Sequence, residues 1–452
     1  MSYALKPYPE YKDSGVPWLG EIPAHWMILP HRALFYEVNE RNHPEESLLS
    51  VTIAQGVMPQ QALLANSSKK DSSNLDKSNY KLVEPGDIAY NKMRAWQGAL
   101  GVSQYRGIVS PAYIVVRSRL KQVSRYYHYL FRTPAFASEA ERWSYGITSD
   151  QWSLRFEDFK RIYGVLPPLE EQTQIARFLD HLDRLTRRYI RAQRRLIELL
   201  TEQKQALIQQ AVTRGLDPHV KLKPSGIEWL GEIPEHWDVR RLKRTATLHR
   251  GYDLPDQQRE LGSYPVVSSG GIIGSHSRAM VKGPGVVTGR YGSTGAIYFI
   301  EPDFWPHNTS LYVSDFNGNF PRFIYYLLHV ISINAHSGKS AVPGVDRKDL
   351  HEIRVAVPGL EEQKAIATML DDRFRRLDIA IGQTAQQIDL TREYRTRLTA
   401  DVVTGRLDVR GVSLEVLLPD LDEAGDLGDL DGMEEDAESD GLDTEEMNDA
   451  DD

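Results

Sequence analysis

Cysteine is absent from all 452 residues. That excludes disulfides, thiolate metal sites and cysteine nucleophiles, and it makes a reducing, cytoplasmic location the expectation. No apolar run approaches the roughly 18 residues that a membrane helix needs. The first eleven residues, polar and proline-containing, do not resemble a signal peptide. Several chemistries lack their signatures as well. There is no Asn/Asp-Pro-Pro-Tyr/Phe motif and no glycine-rich cofactor loop. Gly338-Lys339-Ser340 looks like the end of a phosphate loop, but Ile333 stands where its first glycine belongs. Gly283, Gly285 and Gly289 lack the spacing of a dinucleotide fingerprint. The 13 histidines include no His-x-x-x-His ligand pair. The expectation is a chain without catalytic residues, metal site or cofactor of its own.

Basic residues are absent from one block only. From Gly411 onward there is no Lys or Arg, while Asp and Glu number 18. The formal net charge of −9 therefore misleads: 45 acidic residues remain against 54 basic ones, so residues 1–410 carry about +9. This pattern predicts a basic folded body, suited to a polyanion, with a disordered acidic tail over about 415–452.

What the chain has in abundance is itself. Ser14-Gly-Val-Pro-Trp-Leu-Gly-Glu-Ile-Pro-Ala-His-Trp26 recurs as Ser225-Gly-Ile-Glu-Trp-Leu-Gly-Glu-Ile-Pro-Glu-His-Trp237, with ten of thirteen positions identical at an offset of 211. Leu169-Glu-Glu-Gln172 recurs as Leu360-Glu-Glu-Gln363 at an offset of 191, and Val212-Thr213 and Leu216-Asp217 recur at that same offset as Val403-Thr404 and Leu407-Asp408. The stretch from Leu-Glu-Glu-Gln to Leu-Asp thus has a fixed length. The stretch before it differs by 20 residues between copies and has diverged. One part behaves as a spacer whose length matters, the other as a module whose content was free to change.

The fixed-length part reads as helix. Residues 169–212 hold no Gly or Pro, Pro167-Pro168 precede the first turn, and Glu170 and Glu171 suit the positive end of the helix dipole. Ile175, Phe178, Leu182, Leu185, Tyr189, Ala192, Leu196 and Leu199 form a heptad seam. Leu370, Phe374, Leu377, Ile381, Ile388, Leu398 and Val402 form a more broken one, and Gly215 and Gly405 are the expected stops. Each helix is on the order of 60 Å long, and the cheapest partner for each is the other, packed antiparallel about a pseudo-twofold axis. The variable modules, about 27–165 and 238–356, read as α/β. Short β-rich runs at 47–53, 108–116, 286–288 and 310–313 sit among Gly and Pro, and a helix at 124–132 parallels one at 321–330. Asn91-Lys92-Met93-Arg94 matches Gly289-Arg290-Tyr291, and Val109-Ser-Pro-Ala-Tyr113 matches His307-Asn-Thr-Ser-Leu311.

Together the paired Trp-Leu-Gly-Glu-Ile-Pro-x-His-Trp and Pro-x-Leu-Glu-Glu-Gln motifs, with Gly86-Asp-Ile-Ala-Tyr-Asn-Lys-Met-Arg-Ala-Trp-Gln97, resemble the specificity subunit of type I restriction–modification systems over residues 11–410. The acidic tail lies outside the pattern. The resemblance implies an α+β architecture of two globular α/β target-recognition domains joined by two long antiparallel coiled-coil helices with an internal pseudo-twofold repeat. The expected division is 1–168, recognition domain one; 169–215, first spacer helix; 216–359, recognition domain two; 360–406, second spacer helix; and 407–452, the C-terminal segment. It implies further that each module reads one half of a bipartite, asymmetric double-stranded DNA target. Two methyltransferase subunits and restriction/translocase subunits would supply the chemistry, using S-adenosylmethionine, ATP and Mg.

Candidate DNA contacts are Lys92, Arg94, Trp96 and Gln97 in the first module, and Gly289, Arg290, Tyr291, Ser293 and Thr294 in the second. Arg and Lys serve phosphates or guanine edges, and Gln pairs with adenine. Tyr145 and Ser149, with Lys339 and Ser340, occupy matching places late in each module as a second DNA-facing loop. Each of these is otherwise an ordinary solvated loop residue. Trp18, Trp26, Trp229 and Trp237 read as core, with Leu19, Gly20, Leu230 and Gly231 beside them as a candidate docking surface for partner subunits. Arg187, Arg188, Arg191, Arg194 and Arg195 crowd one stretch of helix, a solvated face or a contact for phosphates or an acidic partner. A single-chain DNA-modifying or DNA-cleaving enzyme with an unrecognised centre, and a coiled-coil scaffold, are the alternatives.

Overall fold

A computed structural model describes residues 5–53, 55–65, 76–146, 152–290, 296–331 and 346–413. The chain divides into two compact units, residues 1–191 with 388–452, and residues 192–387. The divisions fall inside the long helices, so each unit holds one end of each.

In the first unit a hairpin of Tyr11–Asp13 with Glu21–Pro23 carries the repeated Trp motif. The chain then enters the module along Met27–Pro30 and leaves it along Tyr163–Leu166. These two segments pair antiparallel, Ile28 opposite Val165. Everything variable lies between two adjacent chain ends. Inside, β1 (Phe35–Val38), β2 (Ile88–Asn91), β3 (Leu100–Val102) and β4 (Tyr113–Ser118) form an antiparallel sheet in the order β1-β4-β2-β3. Helix α1 (Ser124–Phe131) buries Tyr126, Tyr127, Leu130 and Phe131 in the core.

The second unit repeats the plan. Asp238–Arg241 pairs antiparallel with Arg354–Val357 where the module opens and closes. Strands β5 (Thr247–Arg250), β6 (Gly285–Gly289), β7 (Ile297–Ile300) and β8 (Ser310–Asp315) lie in the order β5-β8-β6-β7, the first sheet's order strand for strand. The counterpart of α1 is α3 (Pro321–Val330). The register corrects one alignment. Asn91 faces Tyr113 as Gly289 faces Ser310, so Lys92 corresponds to Arg290, as the sequence match has it. Tyr113 corresponds to Ser310 rather than Leu311. Hydrogen bonds tie the loop before each strand in the same way, Tyr113 N to Ser110 O and Ser310 N to His307 O. Identities there are too few to fix a one-residue slip.

The long helices are α2 (Leu169–Arg214, 46 residues) and α4 (Leu360–Val403, 44 residues). Gly215 and Gly405, at φ +77° and +81°, follow them in the left-handed conformation that ends a helix. Near the start of α2, Ile175, Phe178, Leu179 and Leu182 share the first unit's core with Leu398 and Val402 near the end of α4, and Arg395 Nε lies 2.7 Å from Asp183 Oδ1. In the second unit the roles exchange. Ile208, Ala211 and Val212 of α2 share a core with Ile366, Ala367 and Leu370 of α4, and Lys204 Nζ sits 2.5 Å from Asp378 Oδ1. Within each unit, then, the helices run antiparallel.

The heptad seam proposed for α2 fails in its middle. Tyr189, Leu196 and Leu199 are 40%, 42% and 45% exposed, Ala192 is exposed, and Ile190 is buried instead. Past Leu182 the buried face advances in steps of four, through Thr186 to Ile190. In α4 Leu370, Ile388, Leu398 and Val402 are buried, and Phe374, Leu377 and Ile381 are half-buried.

His31 is fully buried among Phe35, Phe131, Phe136 and Phe159, with no hydrogen-bond partner for either ring nitrogen among the described residues. Burial pushes its imidazole down to about 3. The folded ring stays neutral while an unfolded one takes a proton below about 6.5, so acid favours unfolding. This contribution is complete above pH 6.5 and is lost as pH falls from there toward 3, by up to about 1.4 kcal/mol per pH unit. His31→Phe is expected to reduce the drop in urea midpoint between pH 7 and pH 5, and an unchanged drop would refute this assignment.

Candidate nucleic-acid interface

The two repeated motifs, far apart in sequence, meet in space. Glu171, the second Glu of Leu-Glu-Glu-Gln, accepts hydrogen bonds from Trp26 Nε1 (2.9 Å) and Tyr8 Oη (3.2 Å), and its other oxygen lies 2.6 Å from His25 Nε2. In the second unit Glu362 receives Trp237 Nε1 at 3.2 Å and lies 2.9 Å from His236 Nε2. Each indole also packs under the end of the other long helix. A Cβ added to Gly405 would lie 2.9 Å from Trp26, and one on Gly215 would lie 3.4 Å from Trp237. The His-Trp pair thus ties the start of one helix to the end of the other in each unit.

The glutamine of the motif does a second job. Gln172 Oε1 accepts from Val123 N and Gln363 Oε1 from Phe320 N, both at 2.8 Å. Their amide groups donate to Pro167 O and Pro358 O. Each glutamine therefore holds the first turn of α1 or α3 against a long helix. About two turns further along each long helix, Arg125 and Tyr129 converge on Asp180, and Arg322 and Tyr326 converge on Asp371. Sequence comparison of the two copies misses these repeats because only isolated residues persist. The visible signal is an Arg-x-x-x-Tyr spacing inside each predicted module helix.

With the frame fixed, the candidate DNA contacts can be placed. The turn after β2 is closed by Asn91, whose Oδ1 accepts from Met93 N and whose O accepts from Arg94 N. Trp96 Nε1 donates to Met93 O, and its ring meets Trp152 edge to face at 5.8 Å. Lys92 O accepts from Leu154 N at 2.7 Å. Tyr145 and Ser153 bridge antiparallel, with Tyr145 59% exposed. The turn that carries Lys92, Arg94, Trp96 and Gln97 therefore packs against residues 152–154, beside the Tyr145–Ser153 bridge. Lys92 and Arg94 are half-buried and Gln97 is exposed.

In the second unit Gly289 is buried at the end of β6, and Arg290, half-buried, donates its N–H to Thr309 O. Beside it lies a turn missed in the sequence. Ser269 N donates to Thr309 Oγ1, and Gly271 takes φ +104°. The Ser-Ser-Gly-Gly run at 268–271 is its signal. Ser149, Tyr291, Ser293, Thr294, Lys339 and Ser340 lie outside the described residues. Leu19 and Leu230 are 1% and 7% exposed. As core residues they offer no side chain to a partner, which corrects that expectation, whereas Gly20 and Gly231 are exposed. Trp26 and Trp237 are fully buried, Trp18 is half-buried and Trp229 is 42% exposed.

A family model for the type I restriction modification DNA specificity domain matches residues 60–199 and 234–389. The chain belongs to this family. Among its relatives, the specificity subunit of type I restriction enzyme MjaVIII from Methanocaldococcus jannaschii is 25% identical over 293 residues, 56% of this chain. The match spans 64% of that relative's length, just under two thirds. The putative type I restriction enzyme MjaX specificity subunit of the same organism is 24% identical over 75% of this chain and 83% of its own. A solved chain from work on complex assembly and conformational transition of the type I R-M system shares the fold, with a TM-score of 0.62 at 15% identity over 84% of this chain and 98% of its own. The family match takes in most of the first module, the second module and most of both long helices. No described helix is long and apolar enough to cross a membrane.

The Glu171 and Glu362 clasps differ in burial, with side-chain exposures of 9% and 31%. Removing the more buried acceptor leaves Trp26 Nε1 and Tyr8 Oη unsatisfied. Glu171→Ala is therefore expected to cost about 2–4 kcal/mol in urea unfolding, and Glu362→Ala about 1 kcal/mol. Equal losses would show that burial does not set the strength of the clasp.

Proposed function

We propose that this chain is the sequence-reading subunit of a type I restriction–modification complex, each module recognising one half of a bipartite, asymmetric double-stranded DNA target. The observation that carries this reading is the pairing of sameness and difference. The sheets share one strand order and the clasps repeat. The loops at corresponding strand ends differ, Asn91-Lys92-Met93-Arg94 in one unit and Gly289-Arg290 in the other. Two identical frames suit two copies of one partner, and two different loop sets suit two different half-sites. The partners are then two methyltransferase subunits, joined by restriction/translocase subunits, all in the cytoplasm. S-adenosylmethionine, ATP and Mg are used by those subunits, and this chain contributes recognition without catalysis.

In this reading Lys92, Arg94, Trp96, Gln97 and Tyr145 face one half-site, and Gly289 and Arg290 the other. Tyr291, Ser293, Thr294, Lys339 and Ser340, with Ser149 in the first module, extend these surfaces. The long helices, pairing as a coiled coil, set the unread gap. Gly20 and Gly231 remain on the surface offered to the methyltransferase subunits.

Arg94→Ala is expected to relax recognition at one half-site only, by roughly 1–3 kcal/mol of discrimination. Methylation mapping of the reconstituted complex reads this out, and unchanged preference at both half-sites would sink the assignment. Inserting one heptad into each of α2 and α4 adds about 10 Å of helix, or about 3 base pairs of gap. An unchanged gap in the methylated sites would remove the helices from the role of ruler.

A further inference from the structure

Helix α2 carries a line of arginines outside the candidate recognition loops. Arg177, Arg184, Arg188 and Arg191 are exposed. At 100° per residue their spacings of 7, 4 and 3 place them within about 60° of one another, in a stripe about 21 Å long. The stripe lies opposite the buried face of Phe178, Leu179 and Leu182. None of the four has a carboxylate partner among the described residues. The nearby acids are engaged elsewhere, Asp180 with Arg125 and Asp183 with Arg395. The stripe ends at Arg195, which pairs with Glu198 and Glu202. A solvated helix face ordinarily mixes charges of both signs. The second long helix shows nothing comparable. At the 191-residue offset Arg184 keeps its charge as Arg375, but Arg177, Arg188 and Arg191 become Thr368, Ile379 and Gly382.

The same end of α2 holds the last described residues before the acidic segment. Gln174 Nε2 donates to Val412 O at 2.8 Å and lies 3.3 Å from Val409 O. Residues 414–452 follow directly, with 18 acidic residues and no basic one. Gln174 is one helical turn from Arg177. A chain of 39 residues spans up to roughly 130 Å when extended, several times the length of the stripe. Covalent attachment this close also gives the segment a high effective concentration at the stripe.

We infer that the arginine stripe of α2 is a docking surface for the chain's own acidic segment, residues 414–452. The segment lies along Arg177, Arg184, Arg188 and Arg191 and holds that face against other polyanions until one displaces it. This goes beyond the DNA-reading role and does not depend on it.

The test uses the full chain and a Glu-specific protease, with cleavage after Glu434, Glu435, Glu438, Glu445 and Glu446 followed by mass spectrometry. The comparison is with the variant Arg177→Gln, Arg184→Gln, Arg188→Gln, Arg191→Gln, whose replaced side chains are all exposed and whose folding is checked by its melting curve. In 50 mM salt, cleavage of the unaltered chain is expected to be about tenfold slower than that of the variant. Heparin should speed cleavage of the unaltered chain and leave the variant unchanged. Equal rates in low salt would overturn the proposal. So would a variant that binds a random-sequence duplex, or an acidic partner subunit, more weakly while its acidic segment is cut no faster, since the stripe would then serve that partner instead. Loss of target specificity in either protein leaves these readouts unaffected, so failure of the DNA-reading role is seen separately.

Discussion

A carboxylate at the first turn of each long helix, matched to an indole N–H, is the contact on which the rest of the architecture hangs. Glu171 and Glu362 each take an indole N–H and face an imidazole from the adjacent His-Trp pair. The same indole lies beneath the glycine that ends the other helix. Start, end and module entrance are thereby fixed at one point in each unit. The tryptophans bring a large apolar ring and a single donor, and burial makes the matching acceptor obligatory. This is why the motif tolerates Ala24 or Glu235 between Pro and His while keeping His and Trp.

From that point the order propagates through polar side chains. The neighbouring glutamine reaches the first turn of the module helix, and an aspartate two turns further along holds an Arg–Tyr pair on that helix. The four-stranded sheet rests on this helix, and the strand ends present the loops. The carboxylate thereby fixes, through the module helix and its sheet, where the loops that hold the candidate contacts stand.

Much of this is legible in the amino-acid sequence. Repeats at two offsets separate a length-fixed helix from a free module, and the absence of Gly and Pro in residues 169–212 marks one helix from end to end. The matching of Lys92 with Arg290 survives in the strand register. What fails does so for definable reasons. Leu19 and Leu230 sit beside exposed glycines, yet hydrophobicity alone does not say which way a hairpin faces, and both turn into the core. Tyr189, Leu196 and Leu199 fit a heptad, but past Leu182 the buried positions step by four, to Thr186 and Ile190. The Arg125–Asp180 and Arg322–Asp371 pairs are invisible because a contact between two elements leaves no local periodicity in either.

The antiparallel pairing of each module's first and last segments has a consequence for how such a protein changes over evolutionary time. A module whose two ends are neighbours is, topologically, a side loop on the frame. It can gain or lose some twenty residues, as these two have done relative to each other, without moving a single clasp residue. Selection can therefore act on what is recognised almost independently of selection on how the chain folds. A new specificity is then a graft at two adjacent peptide bonds, accepted by a frame that already knows how to hold it.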